Sequence, residues 1–104
     1  MKKSKRSGMI QLAVSCLLLE KPMHGYQIMK ELAERSGNIY TPSAGTIYPM
    51  LQMLQHHGYV NVTETDGKNV FELNAAGKEH TLKRMQELNY EDFWLEWRHV
   101  LEWK

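Results

Sequence analysis

The sequence is poor in the residues that build disulfides and metal centres. Its 104 residues include a single cysteine, Cys16, so no internal disulfide can form. A reducing compartment, the cytoplasm, is therefore expected. Cys16 lies within an apolar helical pattern, where a cysteine usually packs as a small hydrophobic side chain rather than as a reactive thiol or a metal ligand.

Motifs for catalysis and metal binding are also missing. The sequence has no glycine-rich phosphate loop, no HExxH or CxxC element and no nucleophile elbow. His56 and His57 are adjacent on a predicted helix and point in different directions, which makes them poor joint ligands. His80 and His99 have no cysteine or carboxylate at ligand spacing. We therefore predict a protein that is not an enzyme and that needs no metal or cofactor.

Long apolar runs are absent too, and none approaches the roughly 18 residues of a membrane span. The lysine-rich start MKKSKRSG has no small-residue cleavage site after it, so a signal peptide is not expected. The length fits one domain. Net charge is only +1, but it is unevenly spread: residues 1–58 carry seven Lys/Arg and three acids, and residues 59–104 carry six and nine. A basic half favours a nucleic-acid partner, although small asymmetries also occur in proteins with other partners.

The stretch Thr41–Val60, TPSAGTIYPMLQMLQHHGYV, contains no Lys, Arg, Asp or Glu. Its apolar residues recur at the three-and-four spacing of one buried helix face. These residues are Ile47, Met50, Leu51 and Leu54. The opposite face is uncharged and can form hydrogen bonds, whereas helix faces that meet water usually carry Lys and Glu. The pattern predicts a helix whose outer face meets a partner.

Two residues are candidates for the N-cap of this helix. If Ser43 is the N-cap, Pro49 falls beyond the first turn and removes a hydrogen bond to the carbonyl of Gly45. If Thr46 is the N-cap, Pro49 has no partner to lose, because the first N–H groups of a helix are unpaired. Both candidates leave free N–H groups and small side chains where a phosphate can approach. Gly58 ends the helix.

Two motifs resemble the PadR family of bacterial transcriptional regulators. KPMHGYQI at Lys21–Ile28 contains the HGY element of that family, and GTIYPMLQMLQHHGYV matches its G-T-[IL]-Y-P-x-L-x-x-L-x-x-x-G run. The resemblance spans about Met9 to Leu82. It implies a mainly α, α+β winged helix: a winged helix-turn-helix with a basic N-terminal arm over residues 1–74, and a C-terminal dimerisation helix over residues 75–104.

The first two helices of this fold are visible as patterns. The first helix has apolar residues on two of its faces and ends at Lys21-Pro22. Its second apolar face indicates burial against a partner, in addition to burial in the core. His24-Gly25-Tyr26 opens the second helix, which ends near Gly37. We expect His24 and Tyr26 to fix the turn and to pack between helices rather than to contact a ligand.

Residues 60–73 alternate between apolar and polar around Asp66-Gly67, which predicts a two-stranded hairpin, the wing. Lys68 at its tip is a candidate phosphate or minor-groove contact, but Glu64 and Asp66 beside it weaken that role. Asn74 is placed to cap the next helix.

Residues 75–104 read as helix, with a kink or break near Asn89, where Asn89 and Asp92 resemble a new N-cap. Trp94, Trp97 and Trp103 give this end more aromatic area than a lone helix exposes. In PadR proteins this element is the dimer interface. The residues expected there are Ile10, Val14, Leu17, Phe93, Trp97, Val100 and Leu101. An effector pocket at Trp94 and Trp97 is the alternative, and the two roles can coexist.

The function that follows is a sequence-specific DNA-binding regulator, a repressor, that binds a pseudo-palindromic double-stranded operator as a homodimer and responds to a small aromatic effector. The residues expected near bases and phosphates are Ser43, Gly45, Thr46, Tyr48, Gln52, Lys68, Lys3, Lys5 and Arg6. The basic arm could equally be a solvated tail. Two rival functions remain: a winged-helix protein-interaction module without DNA binding, and a dimer that sequesters an aromatic ligand.

Overall fold

The computed structural model describes residues 5–89 and 92–102. Within them the chain forms five helices and three strands. In chain order these are α1 (Lys5–Glu20), β1 (Met23–His24), α2 (Gly25–Arg35), α3 (Ala44–His56), β2 (Val60–Thr65), β3 (Lys68–Leu73), α4 (Ala75–Leu88) and α5 (Phe93–Glu102). The winged helix-turn-helix predicted from the sequence is confirmed.

Helix α1 is the centre of the core. Every residue from Leu12 to Leu18 is buried, because α2, α4 and α5 all pack around this helix. The second apolar side of α1 lies against α4 of the same chain, where Cys16 Sγ is 3.7 Å from Met85 Sδ, so it does not by itself require a partner. Lys5 and Arg6 belong to α1 rather than to a separate arm, while Lys2 and Lys3 lie outside the described residues.

The sheet is antiparallel with strand order β1-β3-β2. Strands β2 and β3 pair up to Thr65 and Lys68, and the turn between them has φ of 53° at Asp66 and 76° at Gly67. Two positive φ angles in succession are typical of a type I′ turn, and the hairpin that the Asp-Gly pair predicted is confirmed. The third strand, β1, was not anticipated. It pairs Met23 with Phe71 and His24 with Val70, which holds the start of α2 against the wing.

The predicted break near Asn89 is confirmed, but the capping roles differ from those expected. Asn89 has a left-handed backbone with φ of 59° and ends α4. The carboxylate of Asp92 accepts hydrogen bonds from the backbone N–H groups of Trp94 at 3.0 Å and Leu95 at 3.3 Å, so Asp92 begins α5. The N-cap assigned to Asn89 is therefore wrong. Asn tolerates the left-handed region better than most residues, which suits it to a helix end.

None of the helices in residues 5–89 and 92–102 is both long and apolar enough to cross a membrane.

Candidate nucleic-acid interface

Helix α3 carries the uncharged stretch, and its N-cap is the first of the two candidates predicted from the sequence. Ser43 is the N-cap, with an extended backbone, and Pro49 lies inside the helix. The Ser43 hydroxyl does not cap a helix N–H group; it lies 3.3 Å from the Thr46 hydroxyl instead. Proline has no N–H group to donate to the carbonyl of Gly45, so this front turn is weakened and its polar groups are left available.

The two faces of α3 are as the sequence predicted. Ile47, Leu51 and Leu54 are buried in the core. The opposite face carries the residues expected to contact DNA, and all of them reach solvent. Ser43, Gly45, Tyr48 and Gln52 are exposed and Thr46 is half-buried. An exposed face of hydroxyl and amide groups can exchange hydrogen bonds with base edges and phosphates.

The HGY element positions α3 through its glycine. Gly25 is buried, and a methyl group added there would come within 2.7 Å of Cε1 of Tyr48. Glycine is therefore required at this position for the Tyr48 ring to lie over the start of α2. His24 Nδ1 accepts a hydrogen bond of 3.1 Å from the backbone N–H of Gln27, so it caps α2 and fixes the turn there. The packing expected of Tyr26 is wrong, because that side chain is 71% exposed.

The turn between α2 and α3 is held by a buried serine that the sequence did not single out. Ser36 has no exposed surface, and its hydroxyl donates to the carbonyl of Ala33 at 2.7 Å. The same hydroxyl oxygen accepts a hydrogen bond of 3.1 Å from the backbone N–H of Tyr40. Since the buried hydroxyl is satisfied on both sides, the turn that sets the angle between α2 and α3 is well defined.

The end of α3 is joined to α4 by a compact junction. The side-chain amide of Asn74 donates to the carbonyl of Gly58 at 2.7 Å, and its backbone N–H donates to the carbonyl of Tyr59 at 3.1 Å. The side-chain carbonyl oxygen of Asn74 accepts from the backbone N–H of Gly77 at 2.8 Å, which confirms the predicted cap. Gly77 in turn lies directly against the carbonyl of Tyr59. A displacement of α4 would therefore be passed to the end of α3.

The wing places Lys68 beside the turn, exposed to solvent like Glu64 and Asp66. In the part of the chain that the structure describes, Lys68 is in no ion pair, so its charge is available. Of the other basic candidates, Lys3 is outside the described residues. Lys5 and Arg6 are placed by their helical backbone alone, as their side chains are not described.

An ion-pair cluster missed in the sequence links α1, α2 and α5. Arg35 donates to both carboxylate oxygens of Glu20, at 2.6 and 2.7 Å, and to Glu31 at 3.2 Å. Its guanidinium lies 4.6 Å from the ring centroid of Trp94. The hydrogen bonds that Arg35 donates to Glu20 lower the pKa of Glu20 and raise the pKa of Arg35. These charges hold α5 against the end of α1.

The two tryptophans predicted as effector contacts differ in access. Trp97 has no exposed surface, and its indole N–H has no hydrogen-bond partner among the described residues. Trp94 is half-buried, with Arg35 over its ring and the Phe93 ring nearly perpendicular to it at a centroid distance of 4.9 Å. An effector could reach Trp94 from solvent, but it could reach Trp97 only if α5 moved.

The residues predicted for the dimer interface are buried within the single chain. These are Ile10, Val14, Leu17, Phe93, Trp97 and Leu101. The side chain of Val100 is outside the described set. By contrast, α4 exposes apolar residues: Leu82 is 55% exposed and Leu88 is 41% exposed, with the half-buried Met85 between them. We name this set, Leu82, Met85 and Leu88, the α4 stripe.

Comparison with known proteins agrees with this architecture. The sequence profile described as "Transcriptional regulator PadR-like family" matches residues 14–86, which is more than half of the chain. The protein belongs to the PadR-like family. The family consists of transcriptional regulators, which agrees with the prediction that the chain is not an enzyme.

Individual relatives place this PadR-like chain among proteins of different length. It is 33% identical over 60 residues to the transcriptional regulator YqjI of Escherichia coli, an overlap of 58% of this chain and 29% of YqjI. The chain thus spans well under half the length of that relative. A putative transcriptional regulator, TA0346 of Thermoplasma acidophilum, is 27% identical with a TM-score of 0.70, covering 86% of this chain and 87% of TA0346.

A third relative supports the fold alone. A transcriptional regulator from Clostridium thermocellum, Cth-833, has a TM-score of 0.72 with 19% identity, covering 79% of this chain and 82% of that protein.

Proposed function

We propose that this PadR-like chain is a sequence-specific DNA-binding transcriptional repressor that acts as a homodimer. The observation that carries the proposal is the exposed, uncharged face of α3. Tyr48 and Gln52 lie on that face, and Ile47 and Leu51 anchor the opposite side in the core. In helix-turn-helix proteins the second helix enters the major groove, and amide and hydroxyl side chains read base edges there.

The wing and the front of α3 supply the contacts to phosphates. Lys68 is exposed at the wing tip, and the free N–H groups at the front of α3 can approach a phosphate beside Ser43 and Gly45. Lys3, Lys5 and Arg6 would add salt-sensitive attraction for DNA. In this arrangement, α3 determines the sequence specificity of DNA binding, and the basic residues contribute affinity for DNA of any sequence.

The homodimer is supported by the α4 stripe. The exposed leucines of this stripe, Leu82 and Leu88, are unfavourable in water, and a second copy of the same helix would cover them symmetrically. The contacts predicted for α1 and α5 would enlarge this interface if α5 of one copy packed on α1 of the other. Two α3 helices spaced by the dimer across about one DNA turn would read a pseudo-palindromic operator.

A small aromatic effector would regulate this binding through α5. Trp94 is the accessible member of the pair, and a planar compound would bind beside it at the edge of α5. Such a compound changes DNA affinity only if it binds one arrangement of the two α3 helices better than another. The hydrogen bonds of Asn74 could transmit such a rearrangement, because they join α4 to the end of α3. Titrating phenolic acids and planar cationic drugs should quench tryptophan emission with saturation and shift DNA affinity together.

The decisive experiment for the function is selection of bound sequences from a random DNA pool. The proposal predicts enrichment of two related half-sites of opposite orientation, about one helical turn apart. A parallel measurement at low salt should show weaker binding to random duplex DNA. If no sequence is enriched and random DNA is not bound at low salt, the chain is a protein-interaction module, a function that the exposed Glu64 and Asp66 on the wing would favour.

A further inference from the structure

We propose that Tyr26 forms, with Tyr48 and Lys68, a clamp for one phosphate of the DNA backbone, between the first turn of α2 and the tip of the wing. The inference rests on the DNA binding proposed above, and it adds a contact residue from outside α3 and the wing.

Tyr26 is unusual in its exposure. At 71% it is the most exposed of the large hydrophobic and aromatic side chains in the described residues. Its hydroxyl forms no hydrogen bond in that part of the chain, and its ring stacks on no other aromatic residue there. The side chain of Tyr26 therefore contributes little to holding the described residues together. Tyrosine combines a broad apolar surface with a hydrogen-bonding group, which suits it to a binding interface.

The surroundings of Tyr26 form an open cleft. One wall is the start of α2 with Tyr48 from α3, and the other wall is the wing tip. The lining residues are His24, Gly25, Tyr26, Tyr48, Gly67, Lys68 and Asn69. Strand β1 creates this arrangement, because the pairing of His24 with Val70 carries the first residues of α2 alongside the tip of the wing.

The chemistry of the cleft favours an anion. Two phenol hydroxyls and one ammonium group can donate hydrogen bonds into it, and no carboxylate is among the lining residues. The first N–H groups of α2 add positive potential, although that of Gln27 is already bonded to His24. Phosphate oxygens accept hydrogen bonds from tyrosine hydroxyls, lysine and helix N-termini in protein–DNA complexes.

The position of the cleft favours a phosphodiester within a DNA strand over a free phosphate. Tyr48 belongs to α3, so the cleft is continuous with the face proposed to read bases. Gly25 allows the Tyr48 ring to lie close against α2, which brings its hydroxyl into the same cleft as Tyr26. The cleft is open to solvent along the wing, so a strand could pass through it while α3 lies in the adjacent groove.

The test measures affinity for the selected operator and for random duplex DNA. The variants are Tyr26→Phe, Lys68→Ala and the two combined, with Lys83→Ala as the control, because Lys83 is an exposed lysine on α4 away from the cleft. Tyr26→Phe should weaken binding to both DNAs by about tenfold for each clamp that is lost, the lower range for a hydrogen bond to a charged group, and so by about a hundredfold for a dimer with both clamps engaged. Lys83→Ala should bind both DNAs as the unmodified protein does. Thermal unfolding of Tyr26→Phe should be unchanged, because the side chain is exposed.

A second measurement locates the phosphate. Replacing single phosphates of the operator with uncharged methylphosphonates should reveal one position per half-site that weakens binding of the unmodified protein. The same replacement should have little effect on the combined Tyr26→Phe and Lys68→Ala variant, because that variant has no clamp to disrupt. If Tyr26→Phe binds both DNAs like the unmodified protein, or weakens the operator alone, the phosphate clamp is wrong while DNA binding stands. If the unmodified protein binds no DNA, both proposals fail.

Discussion

The close approach of Gly77 to the backbone of Tyr59 predicts a large difference between two similar substitutions. A methyl group added at Gly77 would overlap the carbonyl oxygen of Tyr59 and lie 2.8 Å from Cδ2 of Leu73. Because one obstacle is backbone, it cannot move without disturbing the junction at Asn74. Gly8 is the matched control: it also lies near the start of a helix, and a methyl group added there meets nothing within 4 Å.

The expected magnitudes follow from two opposing effects. Replacing glycine by alanine inside a helix stabilises it by up to about 1 kcal/mol, and both substitutions share this gain. Overpacking a filled site costs about 1–3 kcal/mol, and only Gly77→Ala incurs that cost. Gly8→Ala should therefore raise the free energy of unfolding, whereas Gly77→Ala should lower it by up to about 2 kcal/mol. For a domain of this size, each 1 kcal/mol corresponds to about 4–8 °C in Tm.

The assay is thermal and urea unfolding followed by circular dichroism, at a fixed protein concentration because dimerisation would make Tm concentration-dependent. Gly77→Ala should unfold at a lower temperature than the unmodified chain, and Gly8→Ala at the same temperature or higher. Equal stabilisation by both substitutions would show that α4 does not pack against Tyr59, and the proposed coupling between α4 and α3 would lose its basis.

Three further outcomes are expected. Since Arg35 holds the pKa of Glu20 below its ordinary value of 4.5, this pair stabilises the fold at neutral pH. The unmodified chain should therefore have a higher free energy of unfolding than Glu20→Gln at neutral pH, and this difference should disappear as the pH falls below that value. A difference that stays constant with pH would contradict the pairing. Burial raises the pKa of Cys16 to about 12, so a thiol reagent at pH 8 should react slowly with the native protein and rapidly in denaturant; equal rates would mean that Cys16 is accessible. Replacing Leu82 and Leu88 with Ser should shift sedimentation towards monomer, whereas Ile39→Ser, at a comparably exposed position in the turn between α2 and α3, should not. An unchanged dimer would place the interface elsewhere.

The features that the sequence predicted well are those with a local cause. The uncharged face of α3, the Asp66-Gly67 turn and the break near Asn89 each depend on a short pattern of side chains or on residues that adopt positive φ. The cap at Asn74 is local in the same sense. The family resemblance then predicted how these elements are arranged in space, which the periodicity of the apolar residues does not specify.

The features that were missed depend on contacts between distant residues. Strand β1 is a two-residue strand whose only signal is its pairing with β3. The packing of Tyr48 over Gly25 joins residues from two different helices. The return of α5 along α1 buries Trp97 in the chain's own core, where the sequence indicated only that its apolar surface needed a cover. Arg35 joins Glu20, fifteen residues away, and Trp94, so its role could not be inferred from helix spacing.

The most direct test of base recognition by α3 compares Gln52→Ala with Lys68→Ala on operator and random DNA across a salt series. Gln52→Ala should weaken operator binding by about 1–3 kcal/mol and relax the preference at one position in each half-site, with little effect on random DNA. Lys68→Ala should weaken both DNAs alike and reduce the salt slope by about one unit for each phosphate that the lysine neutralises. If Gln52→Ala leaves the sequence preference intact while Lys68→Ala changes it, the wing is the element that reads the bases and the role assigned to α3 is wrong.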